Sequence, residues 1–293
     1  LLGPATSREA ARRALAEAFR AADLPCASLD ARVLTCVALG IDHAALVREP
    51  DQPLGAAAAA LSGLARRRLR REPVSRIAGV REFYGLPLEI DRHVLDPRPD
   101  TETLVAAVVD RLAADRGKPW RILDLGAGSG AILCGLLLNL PHAFGVGVDV
   151  SAGACAIARR NLARCGFSAR AAILCGSWTD AVAGSFDVIV SNPPYIPSAE
   201  ISALADEVRA HDPLVALDGG NDGLDAYRIL VPALAPRLAD GGLVAFENGA
   251  GQSGGVAVLL RAAGFAPMEP VRDLAGHDRV VLARRGDAGA TGA

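Results

Sequence analysis

From Asp100 onward, short apolar runs alternate with longer segments of helical period, and this alternation narrows the possible folds more than any other feature of the chain. It predicts helix 101–114, strand 121–125, helix 131–140, strand 144–150, helix 152–165, strand 171–175 and strand 186–191. A long helix over 224–238 then precedes strand 243–247, helix 255–263 and a last pair of strands near 268–272 and 279–283. Parallel strands need crossover connections, so repeated strand-helix units give a mostly parallel α/β sheet with helices on both faces. Ligands of such sheets sit at the carboxyl ends of the strands.

The N-terminal segment reads differently. Thr6 and Glu9 have capping-box spacing, with Ala10, Leu15, Ala18 and Phe19 on one helical face before Leu24-Pro25. Ser28 can cap a second helix ending at Leu39-Gly40, and helices over 42–48 and 54–71 follow. Five arginines, Arg66, Arg67, Arg68, Arg70 and Arg71, form either a solvated face or a docking surface for an acidic or RNA-associated partner. Phe83-Tyr84 and Leu88 to Ile90 flank Gly85 and Pro87 as in a short hairpin. The expected organisation is a helical domain over 1–73, a hairpin linker over 74–99, a catalytic domain over 100–285 and a flexible tail over 286–293.

Lys and Arg number 31 against 33 Asp and Glu, a net charge of −2, which offers no global attraction for phosphate backbones. Direct nucleic acid binding is therefore not expected. The uncharged span 125–148 is broken by glycines, Asn139 and Pro141, so it is not read as a membrane crossing. The only methionine is Met268, so the chain is expected to begin beyond a translated start, and residues 1–11 lack a signal-like apolar stretch. Six cysteines show neither a CxxC pair nor metal-ligand spacing and are expected to be small core residues in a reducing cytoplasm. A cytoplasmic monomer without metal is the resulting expectation.

Two motifs carry chemistry. Leu123-Asp124-Leu125-Gly126-Ala127-Gly128-Ser129-Gly130 joins a strand to a helix, and its glycines allow a tight turn and close backbone approach to a ligand. Asp149 ends the next strand, where a carboxylate can accept both ribose hydroxyls. Nicotinamide cofactors and S-adenosylmethionine both fit these features. Asp124, directly before the glycines, would repel a pyrophosphate and attract an ammonium or sulfonium, which favours the second. Trp178 is a candidate wall for an adenine ring, or a core residue.

The second motif, Ser191-Asn192-Pro193-Pro194-Tyr195, follows a buried apolar strand that its prolines cannot continue. The Asn192 side-chain carbonyl and the Pro193 backbone carbonyl can each accept one hydrogen of a planar NH2 group while Tyr195 lies against its plane. The nitrogen is thereby aimed at an electrophilic methyl, a positional form of catalysis. No histidine stands near either motif in the sequence.

Asp124 to Gly130, Asp149 and Asn192 to Tyr195 resemble the class I S-adenosylmethionine-dependent methyltransferases that act on amino and amide groups. The flanks are narrower: Arg81-Glu82-Phe83-Tyr84-Gly85, Val94 to Glu102, and Ala216 to Gly220 with Asp222 to Arg228 resemble the peptide chain release factor glutamine methyltransferases, the PrmC or HemK family. The resemblance implies a Rossmann-like methyltransferase domain behind a helical domain that helps to hold a class 1 release factor. It further implies methylation of the amide nitrogen (N5) of the glutamine in the GGQ motif, with S-adenosylhomocysteine as product. Asp124, Gly126, Ala127, Gly128, Ser129, Gly130, Asp149, Trp178 and Asn192 would bind the donor, and Asn192, Pro193, Pro194 and Tyr195 the glutamine, with Asn192, Pro193 and Tyr195 as the catalytic residues. Ser177 replaces a usual acidic residue, Asp96 a usual apolar one, and Glu247-Asn248-Gly249 a common Glu-Ile-Gly. A ribosomal-protein glutamine methyltransferase is an alternative, disfavoured by Pro97-Arg98-Pro99-Asp100. An adenine-N6 DNA methyltransferase would need a basic groove, and a non-catalytic binding module would not need an intact Asn192 motif.

Overall fold

In the computed structural model, which describes residues 2–285, the first helix starts one residue later than its capping pattern suggests. Ser7 rather than Thr6 caps α1 (Arg8–Ala21), its hydroxyl accepting from the Ala10 N–H at 3.3 Å. Glu9 instead pairs with Arg12 and Arg13, and the buried face is Ala11, Leu15, Ala16 and Phe19, with Ala10 and Ala18 exposed. α2 (Ala27–Leu39) stops at Gly40, whose φ of +64° terminates the helix as expected. α3 (His43–Arg48) is capped by Asp42, and α4 (Ala57–Leu69) is followed by α5 (Val74–Ala78), which the sequence did not suggest.

The chain divides into two compact units, one running to Val80 and including Ala205–His211, the other comprising Arg81–Leu204 and the residues from Asp212. Phe19, Leu34 and Leu61 centre the core of the first. There the arginine run is not one solvated face. Arg68 is only 4% exposed, held by Asp30 at 2.7 Å and by Glu207. Arg67 pairs with Glu72, and Arg71 lies 3.9 Å from Asp206, leaving Arg66 and Arg70 as the exposed members.

The second unit is entered by the hairpin of β1 (Val80–Phe83) and β2 (Leu86–Glu89), which turns through Tyr84 and Gly85 at φ +53° and +75°, the pair of left-handed residues a tight hairpin needs. A 3-10 turn (Pro99–Thr101) leads into α6 (Glu102–Arg111). Then come β3 (Arg121–Leu125), α7 (Ala131–Asn139), β4 (Phe144–Asp149), α8 (Ala152–Arg164), β5 (Ala171–Cys175) and β6 (Phe186–Ser191), close to the predicted bounds. α9 (Asp206–His211) belongs to the first unit; α10 (Asp225–Leu234), β7 (Leu238–Glu247), α11 (Ser253–Ala262), β8 (Phe265–Pro267), β9 (Val271–Arg272) and β10 (Asp278–Arg285) complete the chain.

The sheet order is β5-β4-β3-β6-β7-β10-β8, with β9 also on β10; it is parallel from β5 to β7 and antiparallel at β10. α6 and α7 bury Leu104, Val108, Leu133 and Leu136 on one face, while Tyr227, Leu230 and Leu260 cover the other.

Some expectations fail here. Leu238 opens β7 rather than closing a helix: α10 carries Pro232 and ends at Leu234, and Leu238 pairs with Phe186 before the ladder shifts register ahead of Leu243. Met268 lies in no strand. Of the cysteines, Cys134 and Cys155 are buried, but Cys26 and Cys175 are exposed. No helix among the described residues is long and apolar enough to cross a membrane. The tail over 286–293 lies outside the described residues.

Candidate active site

β4, β3 and β6 are neighbours in the sheet, so their carboxyl ends bring both sequence motifs together. Past β3, Gly126, Gly128 and Gly130 all have left-handed φ, +75°, +55° and +77°, which side-chain-bearing residues rarely adopt. The N–H groups of Gly126 and Ala127 both reach the Val148 carbonyl at 2.9 Å, tying the loop to β4. Asp149 braces the same loop: one carboxylate oxygen accepts from the Gly128 N–H and the other from Ser151, each at 2.8 Å. The Trp178 ring closes over Gly126 so nearly that a Cβ there would sit 3.4 Å from it. Trp178 itself is held at φ +43°.

These residues border a cleft of about 250 Å³, lined by Gly126 to Ser129, Asp149, Ser177, Trp178, Asn192, Pro193 and Pro194. Gly130 lies outside the lining and starts α7 against Ala158. Asp124 is also outside: it is fully buried on β3, and neither carboxylate oxygen has a hydrogen-bond partner of good geometry. Burial, then the nearby charge of Asp149, pushes its pKa up to about 7, with the Leu133 N–H only a minor opposing pull.

At the end of β6 the Ser191 hydroxyl donates to the Leu125 carbonyl at 2.6 Å, fixing the two motif-bearing strands to each other. The Asn192 Nδ2 donates to Thr101 Oγ1 at 3.2 Å, which leaves the amide oxygen as the free end. Tyr195 does not line the cleft. Its hydroxyl lies 3.4 Å from Glu247, and burial holds its pKa above the ordinary tyrosine range. Its backbone carbonyl accepts from Gln252 Nε2 at 2.8 Å. Gly219 and Gly223 pack so closely on Tyr195 that a Cβ would come within 2.8 Å of its Cα and 2.2 Å of its carbonyl oxygen respectively. The glycines at 219–223 therefore frame the Pro-Pro-Tyr backbone.

Sequence reasoning missed three residues. Thr101 lines the cleft and meets Asn192. Glu247, 1% exposed, has its pKa pushed up to about 7 by burial. His93 lines the cleft with its Nδ1 3.1 Å from Asp91, although no histidine is near the motifs in sequence. A carboxylate closing an apolar strand was the one available signal for Glu247; loop residues brought in from 90 to 100 positions away gave none.

Comparison with known proteins adds the following. A family model described as Methyltransferase small domain matches residues 100–210, and another, PrmC N-terminal domain, matches residues 10–79. A Release factor glutamine methyltransferase of Bradyrhizobium diazoefficiens is 49% identical over 95% of this chain and 95% of that protein. One of Caulobacter vibrioides is 46% identical over 87% of this chain and 88% of its own. A crystal structure of a methyltransferase from Pyrococcus furiosus, 19% identical, superposes with a TM-score of 0.53 over 77% of this chain and all of that one, a likeness of fold.

Proposed function

The chain belongs to the release factor glutamine methyltransferase family, and we propose that its cleft methylates the side-chain amide nitrogen (N5) of the glutamine in the GGQ motif of class 1 peptide chain release factors. It is a methyltransferase, and the glycine loop, Asp149 and Trp178 support a methyl donor of the S-adenosylmethionine type. We take the donor to be S-adenosylmethionine itself, leaving as S-adenosylhomocysteine, and the enzyme to act as a cytoplasmic monomer without direct contact to nucleic acid.

The residues present suit that donor. The three left-handed glycines keep side chains out of the loop, Asp149 retains acceptor lone pairs beyond its two N–H partners, and Trp178 offers an indole face. Bound there, S-adenosylmethionine supplies a methyl made electrophilic by its sulfonium. Gly126, Ala127, Gly128 and Ser129 would hold it by backbone contact, with Gly130 and Asp124 acting from beneath, Gly130 by shaping the helix start and Asp124 by its charge.

Substrate chemistry falls to Asn192 and Pro193. An amide nitrogen is a weak nucleophile, and its proton becomes acidic only as the new bond forms, so a base acting before attack would contribute little. Two carbonyl acceptors instead orient the NH2 group and stabilise the positive charge that develops on it. Tyr195, outside the lining, acts by keeping the Pro193-Pro194 backbone in place.

The observation that carries this reading is the Asn192 amide, held by Thr101 with its oxygen free beside the glycine loop. Mass spectrometry of a release factor incubated with enzyme and donor should place one methyl group on the GGQ glutamine. Asn192→Ala should lose transfer by at least about a hundredfold with donor affinity unchanged. Label entering DNA or a ribosomal protein instead of the release factor would refute the substrate assignment.

A further inference from the structure

Leu214 and Val215 are adjacent aliphatic side chains left 59% and 63% exposed, and Val215 lines the cleft together with Pro213 and Ala216. They stand on a 3-10 turn (Leu214–Ala216). We infer that this turn is the docking surface for the release-factor main chain beside the target glutamine, an uncharged segment rich in glycine. That role deepens the reading of Asn192 and Pro193 as holders of the glutamine amide and rests on it.

The turn is fixed at both ends. Before it, the buried Asp212 carboxylate accepts from the Asp96 N–H at 3.3 Å and pairs with Arg98. This ties it to the segment leading to Thr101, the partner of Asn192. After it, the Ile196 N–H donates to the Leu217 carbonyl at 3.0 Å, and the Gly219 N–H to the Ile196 carbonyl at 2.8 Å. Ile196 directly follows Tyr195, so the second anchor joins the segment that carries Asn192 and Pro193. Both anchors therefore belong to the substrate-holding elements, and neither involves Asp149 or Trp178.

A turn held in this way cannot fold its side chains inward. Leu217 is the member that is buried, at 5% exposure, while Leu214 and Val215 keep apolar surface in water beside the cleft, where covering it is favourable. The chemistry of the turn also selects the occupant. Leu214 to Ala216 carry no charge, and the flanking acids are engaged, Asp212 by Arg98 and Asp218 by the Ser198 hydroxyl and the Gly220 N–H. A charged chain finds no partner there. The two glycines that precede the target glutamine have no Cβ, so their backbone can come into direct contact with Leu214 and Val215.

The double variant Leu214→Ala with Val215→Ala tests this on intact release factor and on a short peptide carrying the GGQ sequence. Donor affinity, thermal unfolding and oligomeric state are measured alongside. The kcat/KM should fall roughly ten- to a hundredfold for both substrates, with the loss in KM and with kcat and donor affinity within about threefold. The parent should prefer the GGQ peptide over one with alanine in place of the glycine next to the glutamine, and the variant should narrow that preference at least about threefold. Unchanged kcat/KM with the peptide, or a loss confined to donor affinity, would overturn the inference. So would a parent dimer that the variant breaks without change in KM, since the turn would then cover a second copy of the chain. Asn192→Ala separates the docking role from its premise: if that variant is inactive while the double variant keeps the parent kcat/KM, only the docking role fails. If Asn192→Ala is itself fully active, the reading of Asn192 fails.

Discussion

At the scale of single residues, two carboxylates of the catalytic unit stand out because burial raises both pKa values to about 7, yet their settings differ. Glu247 has the Tyr195 hydroxyl at 3.4 Å on one oxygen; Asp124 has no partner of good geometry on either. The sign of the Asp124 effect follows from linkage. Its folded pKa lies above the ordinary aspartate value of 3.8, so the folded chain holds this proton more tightly than the unfolded chain. Stability is unaffected at low pH, falls as pH rises from about 4 to about 7, and carries the full penalty above that. Asp124→Asn should therefore raise Tm at pH 8 and leave it nearly unchanged at pH 4, the gain at pH 8 being roughly 1–3 kcal/mol. It should also weaken donor binding at pH 8, since a negative charge beneath the loop is lost. Parallel Tm curves for parent and variant would contradict this account. The charge of Asp124 was legible as a motif position, but its lack of partners was not, because that depends on how α7 packs over β3.

At the scale of elements, contiguous motifs were the legible part of the site. The turn after β3, the acid ending β4 and the Asn-Pro-Pro-Tyr segment after β6 each consist of neighbours in sequence, and parallel order alone brings their strand ends together. The contacts of Asn192 with Thr101, 91 positions away, and of the Tyr195 carbonyl with Gln252, 57 away, depend on long-range packing that no local pattern encodes. The same applies to β7, whose first half is specified by pairing with Phe186 against a helical-looking local sequence. Gly219 and Gly223 were visible only as a family flank; their closeness to Tyr195 supplies the physical reason for glycine. Gly223→Ala would combine φ +77° with a Cβ 2.2 Å from a backbone oxygen, so the Pro-Pro-Tyr segment must shift. Methyl transfer should fall more than about tenfold while donor affinity stays within about threefold, because the glycine loop and Asp149 lie on other strands. Equilibrium dialysis of labelled donor set beside turnover measurements would check that split.

At the scale of the whole molecule, catalytic and helical units have different relations to charge. In the proposed mechanism the cleft works through uncharged carbonyls, which agrees with a chain of net charge −2 that acts on a protein amide. Any electrostatic attraction for a partner must come from local groups, and the arginine run of α4 and the residues after it is the strongest candidate in the sequence. Its members are not equivalent. Arg68 is committed to a buried pair with Asp30 and Glu207, and replacing it would leave two carboxylates without their cation, a cost in stability and not a probe of docking. Arg67 and Arg71 also have acidic neighbours. Arg66 and Arg70 are exposed and appear in no ion pair among the described residues. If the helical unit docks the release factor through this surface, Arg66→Glu with Arg70→Glu should raise KM for intact release factor several-fold, more so at low salt, with kcat and Tm nearly unchanged. A short peptide carrying the GGQ sequence, too small to reach this surface, should be methylated by parent and variant at equal kcat/KM. Equal losses with protein and peptide, or no loss with either, would mean that these arginines form only a solvated surface and that docking, if this unit provides it, uses another face.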